Sequence, residues 1–143
     1  MRVWAPGITL AAAPLMHAVL ATAALPLFVD ALLSDWAYHS SYQLQWLNFS
    51  SWLMAGGLLL AGVALLWAAA ALLFARGPRH RHGPVYLLLL GATLLLGFYN
   101  ALVHARDGWA TMPTGLALSA VVLVLAAAAS MLGLAALRWR AAP

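Results

Sequence analysis

Residues 49–74 read FSSWLMAGGLLLAGVALLWAAAALLF and contain no charged side chain. A helix needs roughly 20 apolar residues to cross a hydrocarbon core of about 30 Å, and this run is long enough to do so. Three more runs of the same kind cover residues 14–34, 84–104 and 113–137. The sequence therefore predicts an all-α integral membrane protein, in which four transmembrane helices with short connections form an up-and-down antiparallel bundle.

The composition supports the same conclusion. Of the 143 residues, 66% are hydrophobic and 7% are charged, whereas about a quarter of the residues in a soluble domain are charged. We therefore expect one transmembrane domain over residues 1–143 that contacts membrane lipid. The net charge of +4 does not indicate nucleic-acid binding, because the arginines stand at the ends of apolar runs rather than along an accessible face. The sequence has no cysteine, which excludes disulfides and thiolate chemistry.

The arginines predict the orientation of the chain in the membrane. Only Arg106 falls at one end of the predicted spans, and the other six fall at the opposite end: Arg2, Arg76, Arg79, Arg81, Arg138 and Arg140. Cytoplasmic ends of membrane helices carry the excess of arginine and lysine. We therefore expect a multi-pass protein of the bacterial inner membrane with both termini in the cytoplasm. Residues 35–48 and 106–112 would then face outward.

A polar set is predicted near the outer end of the third helix. Asn100 and His104 are spaced i, i+4 and Asp107 follows at i+7, so the three side chains share one helical face. The first helix carries Asp30 at the same depth. Because an ionisable group in the membrane needs a partner, we expect His104 to hydrogen bond to Asp30. Two interpretations stay open, a structural clamp between helices and a pocket that handles protons or binds a ligand.

His17, near the cytoplasmic end of the first helix, raises the question of a haem b held by two histidines. His17 and His104 cannot share one iron, because roughly 25 Å of membrane separates them at 1.5 Å per residue. A haem would need His17 with His80 or His82, His104 with His39, or a second copy of the chain. A quinone between the helices is the other cofactor considered. The candidate cofactor-binding residues are His104, His17, Asp30 and Asn100, and no metal site is predicted.

The predicted outward face offers polar and aromatic side chains to a partner. The candidate partner-binding residues are Asp107, Arg106, Trp109, Gln45 and Asn48. Arg106, Asp107 and Trp109 also suit an interfacial cap that only anchors the bundle. No nucleophile, base and orienting group occur together, so the sequence does not predict an enzyme that acts on its own.

Several segments occur in this order along the chain: PLMHA at 14–18, LPLF at 25–28 with Asp30, Asn100, DGW at 107–109 and PTGLALS at 113–119. These segments resemble the bacterial membrane family catalogued as domain of unknown function 2231. The resemblance keeps order and spacing over nearly the whole chain. Residues 44–53, LQWLNFSSWL, are similar to members encoded beside periplasmic sugar dehydrogenases of the pyrroloquinoline quinone type, often labelled sorbosone dehydrogenases. Where the family more commonly has His-Pro, this chain has His17-Ala18.

The resemblance implies a redox neighbourhood. Our leading hypothesis is an accessory or anchoring subunit for a periplasmic quinoprotein dehydrogenase, which would assist electron transfer to quinone. The first alternative is a membrane redox carrier that binds haem b or quinone itself. The second is a small transport or permeability protein, which would require a homo-oligomer because the spans contain few internal polar groups.

Overall fold

A computed structural model describes residues 6–74, 83–106 and 108–141, and the side chains of residues 18–73, 83–106 and 108–136. Its helices are α1 (Pro6–Ser41), α2 (Leu44–Phe74), α3 (Gly83–His104), α4 (Gly108–Thr111) and α5 (Thr114–Ala141). The four long helices are apolar enough to cross a membrane, and no strand occurs in the ranges just given. The predicted all-α four-helix membrane bundle is confirmed.

The four long helices stand at the corners of a square. α1 packs against α2 and α5, and α3 packs against the same two helices. Because consecutive helices run in opposite directions, α1 and α3 are parallel to each other and occupy opposite corners. We call the end where α1 is joined to α2, and α3 to α5, the Tyr42 end.

A repeat of four and three residues places one stripe of each helix in the core. In α1 the stripe is Ala24, Phe28, Ala31, Asp35 and Tyr38, and in α3 it is Tyr86, Leu90, Thr93, Gly97, Asn100 and His104. This spacing is that of helices packed at a shallow angle with interlocking side chains. At Gly57 an added Cβ would lie 2.7 Å from the Phe28 ring, so glycine permits the close approach of α2 to α1. Large apolar side chains off the stripes, such as Leu59 and Leu95, face the lipid.

The connection between the first two helices is shorter than predicted. α1 continues to Ser41 instead of ending at residue 34, and α2 begins at Leu44 instead of residue 49. The predicted outward loop 35–48 is therefore wrong, since only Tyr42 and Gln43 join the helices. Helical hydrogen bonding continues past the apolar run, and the left-handed backbone of Tyr42, with φ of 51°, follows the helix end.

A buried polar cluster shared by four helices

Five polar side chains meet near the Tyr42 end, and all four long helices contribute. Asp35 comes from α1, Ser50 from α2, Asn100 and His104 from α3, and Ser119 from α5. Each is buried, with Asp35, Ser50 and Asn100 at 0% exposure. They meet because each occupies a core-facing position within a few turns of its helix end. We call these five residues the Asp35–His104 cluster.

Asp35 and His104 form the centre of the cluster. Nε2 of His104 lies 2.7 Å from Oδ1 of Asp35, and the hydroxyl of Ser119 donates to Oδ2 of Asp35 at 2.5 Å. The side-chain amide of Asn100 in turn donates to Oγ of Ser119 at 2.8 Å. Oγ of Ser50 lies 3.3 Å from Nε2 of His104. Hydrogen bonds through these side chains therefore tie α1, α2, α3 and α5 together.

The donors and acceptors determine how many protons the pair carries. Nδ1 of His104 lies 2.9 Å from the backbone carbonyl of Asn100, so this nitrogen must bear a proton and donate. The contact between Nε2 and Asp35 then needs one further proton, which belongs either to an imidazolium facing a carboxylate or to a carboxylic acid facing a neutral imidazole. Both arrangements leave the pair without net charge, which lowers the cost of burying it in a membrane bundle.

Gly115 makes room for the imidazole. A Cβ added at this position would lie 3.0 Å from Cε1 of His104 and 2.9 Å from Cγ2 of Thr111. Any larger residue would push the ring of His104 away from α5. The glycine at the start of α5 is therefore part of the site, although it carries no polar side chain.

The predicted contact between His104 and Asp30 is wrong. Asp30 is exposed on the surface of the bundle, and the carboxylate beside His104 is that of Asp35. Five positions along a helix rotate a side chain by about 140°, so the two aspartates of α1 cannot face the same neighbour. The apolar run ends near residue 34, so run length alone leaves residue 35 outside the predicted helix and hides its core-facing position. The stripe Ala24, Phe28, Ala31, continued to Asp35, was the signal that identifies the correct partner.

Other predicted site residues divide into three groups. Asn100 and His104 lie together in the cluster, as their spacing indicated. Gln45, Asn48, Arg106 and Trp109 are exposed at the Tyr42 end. Prediction from the sequence missed Asp35, Ser50 and Ser119 as members of the site. The structure does not describe Asp107, nor the side chains of His17 and of the arginines other than Arg106, so those predictions lie outside the described residues.

Aromatic rings brace the exposed surface of the Tyr42 end. The ring of Tyr42 stacks on that of Trp109 with centroids 5.5 Å apart and an angle of 17°. Tyr38, at 1% exposure, meets Tyr42 edge-on at 5.8 Å. The link between α1 and α2 is thereby fixed against the segment between α3 and α5.

The hydrogen bonds of His104 do not leave its ring free to bind a haem iron. Iron would need one free ring nitrogen, but Nε2 of His104 is bonded to Asp35 and Nδ1 to the backbone carbonyl of Asn100. The proposed second ligand, His39, is exposed and lies against the ring of Tyr42. Among the residues with described side chains, Oδ1 of Asn100 is the buried polar atom without a partner. It accepts hydrogen bonds, so it can pair with the hydroxyl of a quinol but not with the carbonyl of a quinone. Within the residues that the structure describes, no three potential metal ligands lie together.

Comparison with known proteins identifies no relative. No protein family, no curated protein and no solved structure matches the chain. The resemblance to the family of domain of unknown function 2231 therefore stays a prediction.

Proposed function

We propose that this chain is an accessory or anchoring subunit in the bacterial inner membrane that holds a periplasmic quinoprotein dehydrogenase of the sugar-oxidising type, and that it assists electron transfer to quinone. The bundle contributes attachment rather than catalysis. The resemblance of residues 44–53 to members encoded beside such enzymes supports this kind of dehydrogenase as the partner.

The observation that supports the attachment role most directly is a difference in polar side chains: those inside the bundle are paired with each other, whereas those at the Tyr42 end are exposed. Inside the bundle the ionisable groups Asp35 and His104 are engaged with each other. At the Tyr42 end, polar and aromatic groups are exposed and stand on braced backbone: Gln45, Asn48, Arg106 and Trp109. Aromatic residues and arginine are enriched where proteins bind one another. This end offers a firm surface to a partner outside the membrane.

The orientation is part of the proposal. The arginine distribution supports cytoplasmic termini, which would place the Tyr42 end in the periplasm. Because the chain has no cysteine, a single Ser41→Cys variant gives a clean probe. Ser41 is exposed next to the link between α1 and α2. In spheroplasts, a thiol reagent that cannot cross membranes should label this variant. Labelling only after lysis would place the Tyr42 end in the cytoplasm and remove the periplasmic partner.

The attachment role is tested by the distribution of the dehydrogenase encoded nearby. Deleting this chain should move the dehydrogenase from washed membranes to the soluble fraction and lower its electron transfer to quinone. Complementation with a Trp109→Ala, Asn48→Ala variant should restore less attachment than the wild type. The matched control is Leu59→Ala, a change at an exposed apolar residue in the middle of α2. Unchanged attachment and electron transfer in the deletion strain would overturn the proposal.

A further inference from the structure

Asp30 is an acidic side chain on the outer surface of a membrane helix. It lies within the apolar span Ala18–Ser41, about 16 Å along the helix from Ser41 at 1.5 Å per residue. It is exposed, and its carboxyl bonds to none of the side chains that the structure describes. A carboxyl group at this depth normally faces protein or water rather than lipid, because its hydrogen bonds are otherwise unmet. We therefore expect a second protein surface to cover this face of α1.

Tyr99 lies at the same depth as Asp30 on the opposite corner of the bundle. Asp35 and His104 touch, and they belong to the parallel helices α1 and α3. Asp30 precedes Asp35 by five residues, and Tyr99 precedes His104 by five residues. Five residues correspond to about 7.5 Å along the helix axis and a rotation of about 140°, so Asp30 and Tyr99 lie at the same depth and both point away from the core. Tyr99 is 48% exposed. The bundle thus presents an acceptor and a phenol donor at one level on opposite faces.

We infer that copies of this chain associate side by side in the bilayer, with the α1 face of one copy against the α3 face of the next, and that the hydroxyl of Tyr99 donates to the carboxyl of Asp30. Exposed apolar residues surround both groups, Val29 and Leu33 on α1 and Phe98 and Leu102 on α3. The second copy is favoured as the occupant because it supplies a donor at the depth where the acceptor lies. The hydrogen bond would be shielded from lipid by these apolar neighbours.

The positions of the two groups also determine the kind of assembly. Asp30 and Tyr99 stand on opposite corners, so a two-fold axis cannot pair each with the other in one dimer. The contact is head-to-tail, and repeating it generates a ring if the rotation closes or a row if it does not. The inference concerns lateral association and does not depend on the accessory role, which uses the Tyr42 end.

Cross-linking between two differently tagged copies tests the contact. Leu33 lies three positions after Asp30, and Leu102 lies three positions after Tyr99. The two leucines are therefore at a common depth, each beside one partner of the proposed bond, and both are exposed. One copy carries Leu33→Cys and the other Leu102→Cys, with Asp30 and Tyr99 intact. A short bifunctional maleimide applied to membranes should join the two copies. Neither variant expressed alone should yield a dimer.

A matched control moves one cysteine along the same face of α3. Leu95 is exposed and precedes Leu102 by two helical turns, about 10 Å at 1.5 Å per residue. Leu33→Cys with Leu95→Cys should therefore cross-link poorly. Equal yields for Leu95→Cys and Leu102→Cys, a dimer from Leu33→Cys alone, or no cross-linked product from any pair would overturn the inference.

The hydrogen bond itself is tested on the cross-linking background. Tyr99→Phe in the Leu102→Cys copy keeps the ring and removes the donor, so the yield should fall by about two- to tenfold, the effect of one net hydrogen bond on an equilibrium constant. Adding Asp30→Ala to the other copy should then lower the yield little further, because the two groups act as a pair. An unchanged yield after Tyr99→Phe would refute the bond between Tyr99 and Asp30.

Discussion

Replacing Asp35 by alanine tests the cluster as the tie between the helices. The change removes two hydrogen bonds between helices, the one at 2.7 Å with His104 and the one at 2.5 Å with Ser119. Hydrogen bonds between membrane helices average about 0.6 kcal/mol and reach about 1.7 kcal/mol each. We therefore expect Asp35→Ala to lower the free energy of unfolding by about 1–3 kcal/mol. At about 2–4 °C per kcal/mol, the melting temperature should fall by about 2–12 °C.

Two further variants isolate the cause. In Asp35→Asn the amide can accept from Ser119 and donate to Nε2 of a neutral His104, so this variant should keep most of the stability. Asp30→Ala removes the other aspartate of α1, which is exposed, and should have the smaller effect in dilute detergent. Thermal unfolding followed by circular dichroism measures all three. A loss in Asp35→Ala no larger than in Asp30→Ala would refute the role of the cluster. Equal losses in Asp35→Asn and Asp35→Ala would refute the hydrogen-bond explanation.

Two more predictions concern residues around the pair. Gly115→Ala should lower the free energy of unfolding by about 1–3 kcal/mol, because the added Cβ would lie 3.0 Å from His104 and force the ring to move. The matched control is Gly91→Ala, where an added Cβ meets nothing within 4 Å. This variant should be neutral or stabilise α3 by up to about 1 kcal/mol. Equal melting temperatures for the two variants would contradict this. The double variant Ser119→Ala, Asp35→Ala should lose less free energy of unfolding than the sum of the two single variants. The reason is that each single change already breaks the same hydrogen bond, the one from Ser119 to Asp35. Additive losses in chemical unfolding would show that the two residues act separately.

Hydrophobic run length was sufficient to predict the four helices, because the thickness of a bilayer sets the length of an apolar helix. The same criterion failed at the Tyr42 end. Apolar composition stops near residue 34, but the hydrogen bonds of a helix do not depend on composition, and α1 continues to Ser41. A boundary at residue 34 leaves Asp35 outside the first helix, although it lies on the core stripe of α1. That one boundary was enough to assign the wrong partner to His104.

Membrane composition itself hides the orientation of the side chains. In a soluble helix the buried face is apolar and the exposed face polar, so the sequence shows the phase directly. Here lipid-facing and core-facing positions are both apolar, as Leu88 at 73% exposure and Leu90 at 3% illustrate. The small and polar residues carry the remaining signal, since Thr93, Asn100 and His104 recur at core spacing in α3. This signal predicted that Asn100 and His104 share a face, but it does not choose a partner on another helix.

The two aspartates of α1 show that the phase of the helix decides what a charged residue does in a membrane. Asp35 lies on the core stripe, where it meets His104 and Ser119 and forms a pair without net charge. Asp30 lies off the stripe, and within the described structure its own chain supplies no side chain to satisfy it. The next residue, Ala31, is back on the stripe at 1% exposure. Asp30 is thus one position away from the core stripe, and that shift is enough to turn its carboxyl out of the bundle. For this reason the internal cluster contributes to the stability of one copy, whereas association between copies is expected at Asp30.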